Sequence, residues 1–401
     1  MEEITIEALF RNYRRKVKNT PTAFHRYLYD RINWNSMVIG IKGPKGVGKT
    51  TLMLQHIKET FSDLDKALYV SLDNIWFATH SLTDLVEMFY THGGTHIFLD
   101  EVHKYPAWQT VLKNLADDYP DLHIIYTGSS MLKIDHSKGD MSRRQLMYTL
   151  QGLSFREYLE YECGYKTPAL SLETLLSSHS SVAMDITADL RVQPLFDEYL
   201  RHGYYPFYKQ DVEGFEARLQ EVIDAIMYDD LPAVEDITFA TIQKTRKLLM
   251  ILAERCPQTP KMTELYAALE TTREQGLKML YALERAALVG LVTSQPRNVR
   301  AMAKPDKILM DNPNLMCALS PHVEVGTLRE SFFFNQLSAV AEVLYPEQGD
   351  FFVDRKYTFE VGGRKKSFEQ IKDMPNSFLA VDNTEIGHHN RIPLWMFGLL
   401  Y

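Results

Sequence analysis

Four short apolar runs, SMVIGI (36–41), KALYVSL (66–72), THIFLD (95–100) and LHIIYTG (122–128), punctuate the first third of the chain, with helical stretches between them. Runs of this length without polar alternation suit strands buried on both faces, and the intervening helices supply the cover. The pattern therefore predicts a parallel sheet in an α/β arrangement. A glycine-rich turn follows the first run and opens a helix from Thr50 to Thr60. Between 155 and 235 apolar positions recur at spacings of three and four, as in FREYLEYE and PLFDEYLRHG, which predicts helices. From about 240 the same spacing predicts three more, in TIQKTRKLLMILAER, MTELYAALE and REQGLKMLYALERAAL, the first ending near Pro257 and Pro260. Two β-rich pieces, VGLVTS and KILMD, flank QPRNVRAMAKPD. Beyond 325 come a predicted helix over TLRESFFFNQLSAVAEVLY, strands at FFVD and YTFEV, and the loop GGRKKS.

Composition narrows the class. The 401 residues allow two or three domains, and 45% hydrophobic with 24% charged residues excludes wholesale disorder. Apolar runs such as IIY and LWMFGLLY fall short of the roughly 20 residues a spanning helix needs, so no membrane partner is expected. MEEITIEALF is acidic and lacks a basic segment ahead of an apolar one, so no signal peptide is expected. Cys163, Cys256 and Cys317 are solitary and make neither a metal site nor a disulfide framework, which fits a reducing cytoplasm. His92, His96, His388 and His389 assemble no zinc pattern and read as loop residues. GYYPFY and LWMFGLLY read as core or interface. The net charge of −8 excludes a wholly basic nucleic-acid binder, but residues 241–311 hold twelve Lys/Arg against seven Asp/Glu.

Gly43-Pro44-Lys45-Gly46-Val47-Gly48-Lys49-Thr50 satisfies GxxxxGK[ST] between a predicted strand and a predicted helix. The glycines let the backbone curl until its N–H groups face a β-phosphate, and the helix N-terminus adds positive potential. Lys49 is then expected to neutralise β/γ oxygens and Thr50 to hold Mg²⁺, with Thr51 beside it. HIFLDE supplies the complementary carboxylate. Asp100 emerges at the tip of a neighbouring strand to order the Mg²⁺ shell, and Glu101 is placed to polarise a water attacking the γ-phosphate. An adjacent Asp-Glu suits hydrolysis, whereas a small-molecule kinase needs an acceptor pocket for which the sequence carries no signature. The next strand ends at Thr127 before Gly128-Ser129-Ser130, where a polar side chain either reaches the γ-phosphate or caps the next helix. Arg143 and Arg144 precede a strand-like MYTLQGL. An arginine here either projects into a neighbouring subunit's site, where it is worth roughly 10³–10⁵ in rate, or forms a solvated face.

Helix, helix, short turn, helix and two β-rich pieces across 240–310 is the plan of a winged helix. The last of these helices begins at Thr272 and carries Arg273, Gln275, Lys278 and Tyr281, residue types that reach bases or phosphates from a major groove. Arg297, Arg300 and Lys304 of the wing would touch backbone phosphates. DNA is the expected partner, held mostly by its backbone, with a salt slope of roughly −0.9 per phosphate contact. The alternative is a winged helix that only packs against protein.

GPKGVGKTTLM, FLDEVHKYPAW, YTGSS, SRRQLMYTLQGLSFREYL and HGYYPFY resemble the bacterial and archaeal AAA+-type ATPases related to the archaeal ATPase and origin-recognition clades. KPDKILMDNPNLMCAL, GTLRESFF and GDFFVDRKYTFEVGGRKK resemble their C-terminal domain of unknown function, a winged helix joined to a restriction-endonuclease-like fold. The likeness covers almost the whole chain. It implies ATP with Mg²⁺, the roles given to Lys49, Thr50, Asp100 and Glu101, a sensor at Thr127 or Ser129, and an arginine supplied in trans by Arg143 or Arg144. It also implies nuclease-type carboxylates at Glu330, Asp350 and Glu360. Gly362, however, stands where that motif has lysine, with Lys365 or Lys366 a little further on. Three carboxylates can still bind Mg²⁺, but the missing lysine favours a domain that packs or binds over one that cuts.

The expectation is an α/β chain: a P-loop AAA+-type parallel sheet over 1–160, a helical lid over 161–236, a winged helix over 237–312 and an α+β nuclease-like domain over 313–401. Such a chain would be a cytoplasmic, oligomeric ATPase that couples turnover to DNA binding or remodelling. The rivals are a nucleotide-gated signalling or defence switch and an ATP-licensed, metal-dependent nuclease.

Overall fold

All four apolar runs of the first third become strands in the computed structural model, which describes residues 6–129, 141, 143–234, 237–255, 261–294, 304–320 and 322–401. The chain forms two compact units, Met1–Gln151 with Tyr228–Asp236, and Gly152–Met227 with Ile237–Tyr401.

In the first unit β1 (Val38–Gly43), β2 (Ala67–Ser71), β3 (His96–Asp100), β4 (His123–Ser129) and β5 (Gln145–Thr149) make one sheet in the order β2-β3-β4-β1-β5, parallel throughout. Ile39, Ile41, Ile97, Phe98, Leu99 and Ile124 are shut off from water, which accounts for the absence of polar alternation. Each parallel neighbour needs a crossover, supplied by helices Lys49–Thr60, Leu82–Thr91 and Trp108–Asp118. Parallel strands end on a common edge. Gly43 is paired with Ser129, and Leu99 with Tyr126, so the glycine loop, Asp100 and Thr127 gather there. One expectation changes: the strand with the acidic tip is not beside β1, because β4 runs between β1 and β3. A crossover can skip a strand, so order along the chain does not set order in the sheet.

The second unit opens with helices Phe155–Cys163, Leu172–Asp189, Val192–Glu198 and Phe215–Ala225, as the three-and-four spacing predicts. Ser154 starts the first through a capping box with Glu157. Helices Phe239–Arg255, Met262–Ala268 and Arg273–Arg285 precede the antiparallel pair β6 (Val289–Val292) and β7 (Lys307–Met310). Pro257, Pro260, Cys256 and the connection 295–303 lie outside the described residues. Helices Pro313–Leu319 and Val325–Ser338 follow, then a mixed sheet of β8 (Val343–Leu344), β9 (Phe351–Val353), β10 (Tyr357–Gly362), β11 (Ser377–Val381) and β12 (Arg391–Pro393). The helix expected to run to Tyr345 stops at Ser338 because Val343 and Leu344 pair with Val353 and Phe352 of β9. Phe333 packs among Phe351, Phe359 and Phe397. Tyr204, Tyr205, Tyr208, Trp395 and Phe397, from the two aromatic-rich segments, are core residues. No helix among the described residues is long and apolar enough to cross a membrane.

Candidate functional site

Gly46 and Gly48 take φ values of 85° and 97°, the left-handed region that glycine enters without strain, so the 43–50 loop curls back ahead of helix Lys49–Thr60. The first turn of that helix leaves N–H groups without intrahelical partners. Lys49 is buried, and its ammonium donates to the carbonyls of Gly43 at 2.9 Å and Pro44 at 2.7 Å. Desolvation pushes its pKa down, against the pull of Glu101, Asp100 and Asp230. A buried ammonium hydrogen-bonded to neutral carbonyls favours an incoming anion. Arg26, which nothing in the sequence singled out, braces the loop: it is buried and donates to the carbonyls of Val47 and, at 2.8 Å, Gln151.

Asp100 collects three hydroxyl donors: Thr50 at 2.6 Å, Tyr69 at 2.8 Å, and Thr127. Thr127 also accepts the Glu101 N–H at 3.3 Å, so this residue ties the acidic pair to β4. Thr50 and Asp100 offer the hard oxygen donors that Mg²⁺ prefers, at the start of the phosphate-facing helix. Ser129 is buried at the end of β4 opposite Gly43, and Ser130, the other capping candidate, lies outside the described residues. Glu101 has φ 53°. A non-glycine residue held there costs about 1–3 kcal/mol, a strain that clusters at functional positions. Desolvation pushes the Glu101 carboxyl above the ordinary carboxylate range, although Lys49 and His103 pull it down. Beside Thr50 and Thr51 opens a cleft of about 360 Å³, lined by Arg15, Asn19, Pro21 and Leu54 among others.

A third acid, missed by the sequence reading, completes the group. Asp230 lies in the returning segment Tyr228–Asp236, 185 positions from Lys45. Both its oxygens are 3.3 Å from the Lys45 ammonium, and Oδ1 is 2.8 Å from Lys104 and 3.5 Å from His103 Nε2. Desolvation works to raise its pKa, but His103, Lys104 and Lys45 outweigh it and hold the carboxyl well below the usual range. His103 Nε2 is also 3.4 Å from Glu101 Oε2. Ligand atoms of Glu101, His103 and Asp230 lie within 4.8 Å of one another. Lys45 and Lys104 already neutralise Asp230, however, which weighs against a cation at that point. His103 and Lys104 follow the acidic pair after a single residue, Val102, a signal that was available. Asp230 had none.

The arginines stand elsewhere. Arg143 and Arg144 precede β5, whose Gln145 pairs with Val38 at the start of β1, so both lie at the sheet edge opposite their own phosphate loop. Arg144 forms an ion pair with Asp117 at 2.9 Å. Arg273, Gln275 and Lys278 are exposed on one helix, with Lys278 2.7 Å from Glu274. Tyr281, expected to accompany them, is buried, because it falls on the stripe of Leu277 and Leu280. Lys304 is exposed, while Arg297 and Arg300 lie outside the described residues.

A second charged cluster forms in the other unit. Glu330 from helix Val325–Ser338, Asp350 ahead of β9 and Glu360 on β10 meet two lysines. Lys307 pairs with Glu330 and lies 3.4 Å from Asp350, while Lys366 pairs with Glu360, whose side chain is 1% exposed. Asp350 accepts the Val361 N–H at 2.8 Å. Desolvation pushes the Glu330 and Glu360 carboxyls up. A Cβ at Gly362 would come within 2.7–2.8 Å of the Lys366 side chain, so the glycine makes room for that lysine to reach Glu360. Lys365 is exposed. Of the two lysines considered from sequence, Lys366 joins the carboxylates, and Lys307 was unforeseen.

Residues 35–159 match the family model described as an AAA domain, and residues 193–324 match a domain of unknown function. An uncharacterized protein from Methanocaldococcus jannaschii is 27% identical over 366 residues, covering 83% of this chain and 77% of that protein. AMPPCP-bound DnaA from Aquifex aeolicus shares 13% identity, with 71% of this chain and 92% of that chain covered, at a TM-score of 0.27. The S. cerevisiae Hsp104–ADP complex also shares 13%, with 64% and 50% covered, at a TM-score of 0.31. Scores this low carry no whole-chain likeness.

Proposed function

We propose, from the premise that residues 35–159 are an AAA-type P-loop domain, that this chain binds ATP at the 43–50 loop and hydrolyses it with Glu101 as the general base. The carrying observation is the buried Lys49 ammonium at the same sheet edge as Asp100 and Glu101. In this reading the loop N–H groups and Lys49 hold the phosphates, and the cleft beside Thr51 takes the nucleoside. Thr50 and Asp100 would hold Mg²⁺, which when bound screens the phosphate charge. Glu101 takes the proton of the attacking water. Arg143 or Arg144, remote from the loop of its own chain, would serve a neighbouring copy in an oligomer. Turnover would be coupled to DNA bound by Arg273, Gln275, Lys278 and the wing with Arg297, Arg300 and Lys304, in a cytoplasmic chain segmented as read from sequence. Glu101→Gln should keep ATP affinity and lose turnover. Calorimetry in which the wild type ignores adenine nucleotides defeats the reading, and turnover indifferent to duplex, forked and junction DNA removes the DNA half.

A second reading assigns Glu330, Asp350 and Glu360 to Mg²⁺-dependent phosphodiester hydrolysis. The Lys366–Glu360 pair over Gly362 favours it, since it supplies the ammonium whose absence at 362 argued against cutting. Labelled DNA incubated with Mg²⁺ or Mn²⁺ tests it. Equal cleavage by wild type and Glu360→Ala rejects it.

A further inference from the structure

We infer that Asp230 is a positioning residue for water activation: it fixes His103, and His103 fixes the Glu101 carboxylate. This rests on the ATPase reading and adds to it a residue that touches neither nucleotide nor water.

The Asp230 side chain is 2% exposed, and that of His103 is 1% exposed. A buried carboxylate is tolerated only where donors surround it. Asp230 has ammonium groups from two sides of the site, Lys45 of the phosphate loop and Lys104 beyond the acidic pair. So held, it presents Oδ1 to His103 Nε2 at 3.5 Å. The other ring nitrogen, Nδ1, is buried without a hydrogen-bond partner. A buried N–H lacking an acceptor costs more than a bare lone pair, so the ring proton belongs on Nε2, facing the carboxylates. That same Nε2 is 3.4 Å from Glu101 Oε2. The hydrogen bond runs to Asp230, and Glu101 Oε2 stands beside the same nitrogen at ion-pair distance. The ring thereby pins Glu101 Oε2 and leaves Oε1 free to take a proton from water. A displacement of about 1 Å in a catalytic group can cost roughly 10² in rate, which is the scale on which this support matters. Asp230 also enters the site from a segment reached only after the chain has passed through 152–227, so Glu101 is positioned partly by residues far outside the loop and the acidic pair.

The test separates turnover from binding. Phosphate release and ATP calorimetry are run on the full chain as wild type, Asp230→Asn, His103→Leu, His103→Gln and the Asp230→Asn/His103→Leu double variant. Asp230→Asn and His103→Leu are each expected to lower kcat about tenfold or more with the ATP Kd within about threefold. His103→Gln, whose amide donates from near the Nε2 position, should recover most of that loss. The double variant should be no more than about threefold slower than His103→Leu, because Asp230 acts through the ring. An unchanged kcat in Asp230→Asn beside an active wild type overturns the inference and leaves the ATPase reading standing. Losses that multiply in the double variant overturn it too, since they mark Asp230 as a separate structural anchor. If Asp230→Asn fails to fold, the two His103 variants decide: equal kcat for Leu and Gln overturns it. A wild type that binds ATP without releasing phosphate brings down the ATPase reading and this inference together.

Discussion

The two charged centres, one in each unit, use the same side chains and ask for ligands of opposite sign. At the first, Lys45, Lys49 and Lys104 face Asp100, Glu101 and Asp230, so the side chains alone roughly cancel. What tips the balance is backbone: a curled glycine loop and a helix N-terminus add positive potential, and the site favours an anion. At the second, Lys307 and Lys366 face Glu330, Asp350 and Glu360, with one carboxylate in excess, the balance that the proposed metal-dependent reading needs. At the second centre the side-chain count sets the sign of the field, whereas at the first the count cancels and the surrounding main chain sets it.

The harshest way to break that contrast is Lys49→Ala. It should weaken ATP binding by about 10² or more and turnover further, since a buried cation aimed at phosphate acts mostly in the transition state. Calorimetry giving wild-type affinity would mean that the loop is not the anion site. Glu101→Gln comes next, with turnover down by roughly 10²–10⁴ at retained affinity. The pH profile sharpens this prediction. Glu101 must be ionised to accept a proton and its pKa is raised by burial, so kcat should fall as pH drops through a value above the ordinary 4.5. An acid limb below that value would contradict the burial seen here.

At the second centre the sign runs the other way. Glu330 and Glu360 have folded-state pKa values raised above 4.5, so the stability they contribute is full below the unfolded value and lost as pH rises through the folded ones. Glu360→Gln should therefore raise Tm at pH 7, by about 2–4 °C, with the gain vanishing near pH 4. Mn²⁺ should raise the wild-type Tm and leave that of Glu360→Gln nearly unmoved. A variant less stable at pH 7 would show that the Lys366 pair outweighs the burial of the carboxylate. The smallest effect expected is Lys278→Ala, which should lower the salt slope of DNA binding by about 1 without altering ATP affinity. A slope that does not move would take that helix face out of the DNA reading.

Legibility followed contiguity. The GxxxxGK[ST] loop, the Asp100-Glu101 pair and the buried strands behind them could be read directly, because residues that must act together there are neighbours in the chain. Tyr281 misled, since polar character said nothing about which helix face it joined, and the stripe of Leu277 and Leu280 decided that. Lys366 was half legible: its proximity to Gly362 was visible, but its reach to Glu360 depends on the space that glycine leaves.

The sequence by itself determined the phosphate loop, the acidic pair, the helix-rich middle and the class of fold, all through local spacing and periodicity. Only the tertiary structure decided that β4 separates β1 from β3, that Arg26 braces the loop, that Lys307 meets Glu330, and that Asp230 closes on Lys45 from 185 positions away. The physical reason is that burial of a charged group must be answered by a partner in space, and the chain may bring that partner from any distance along its length.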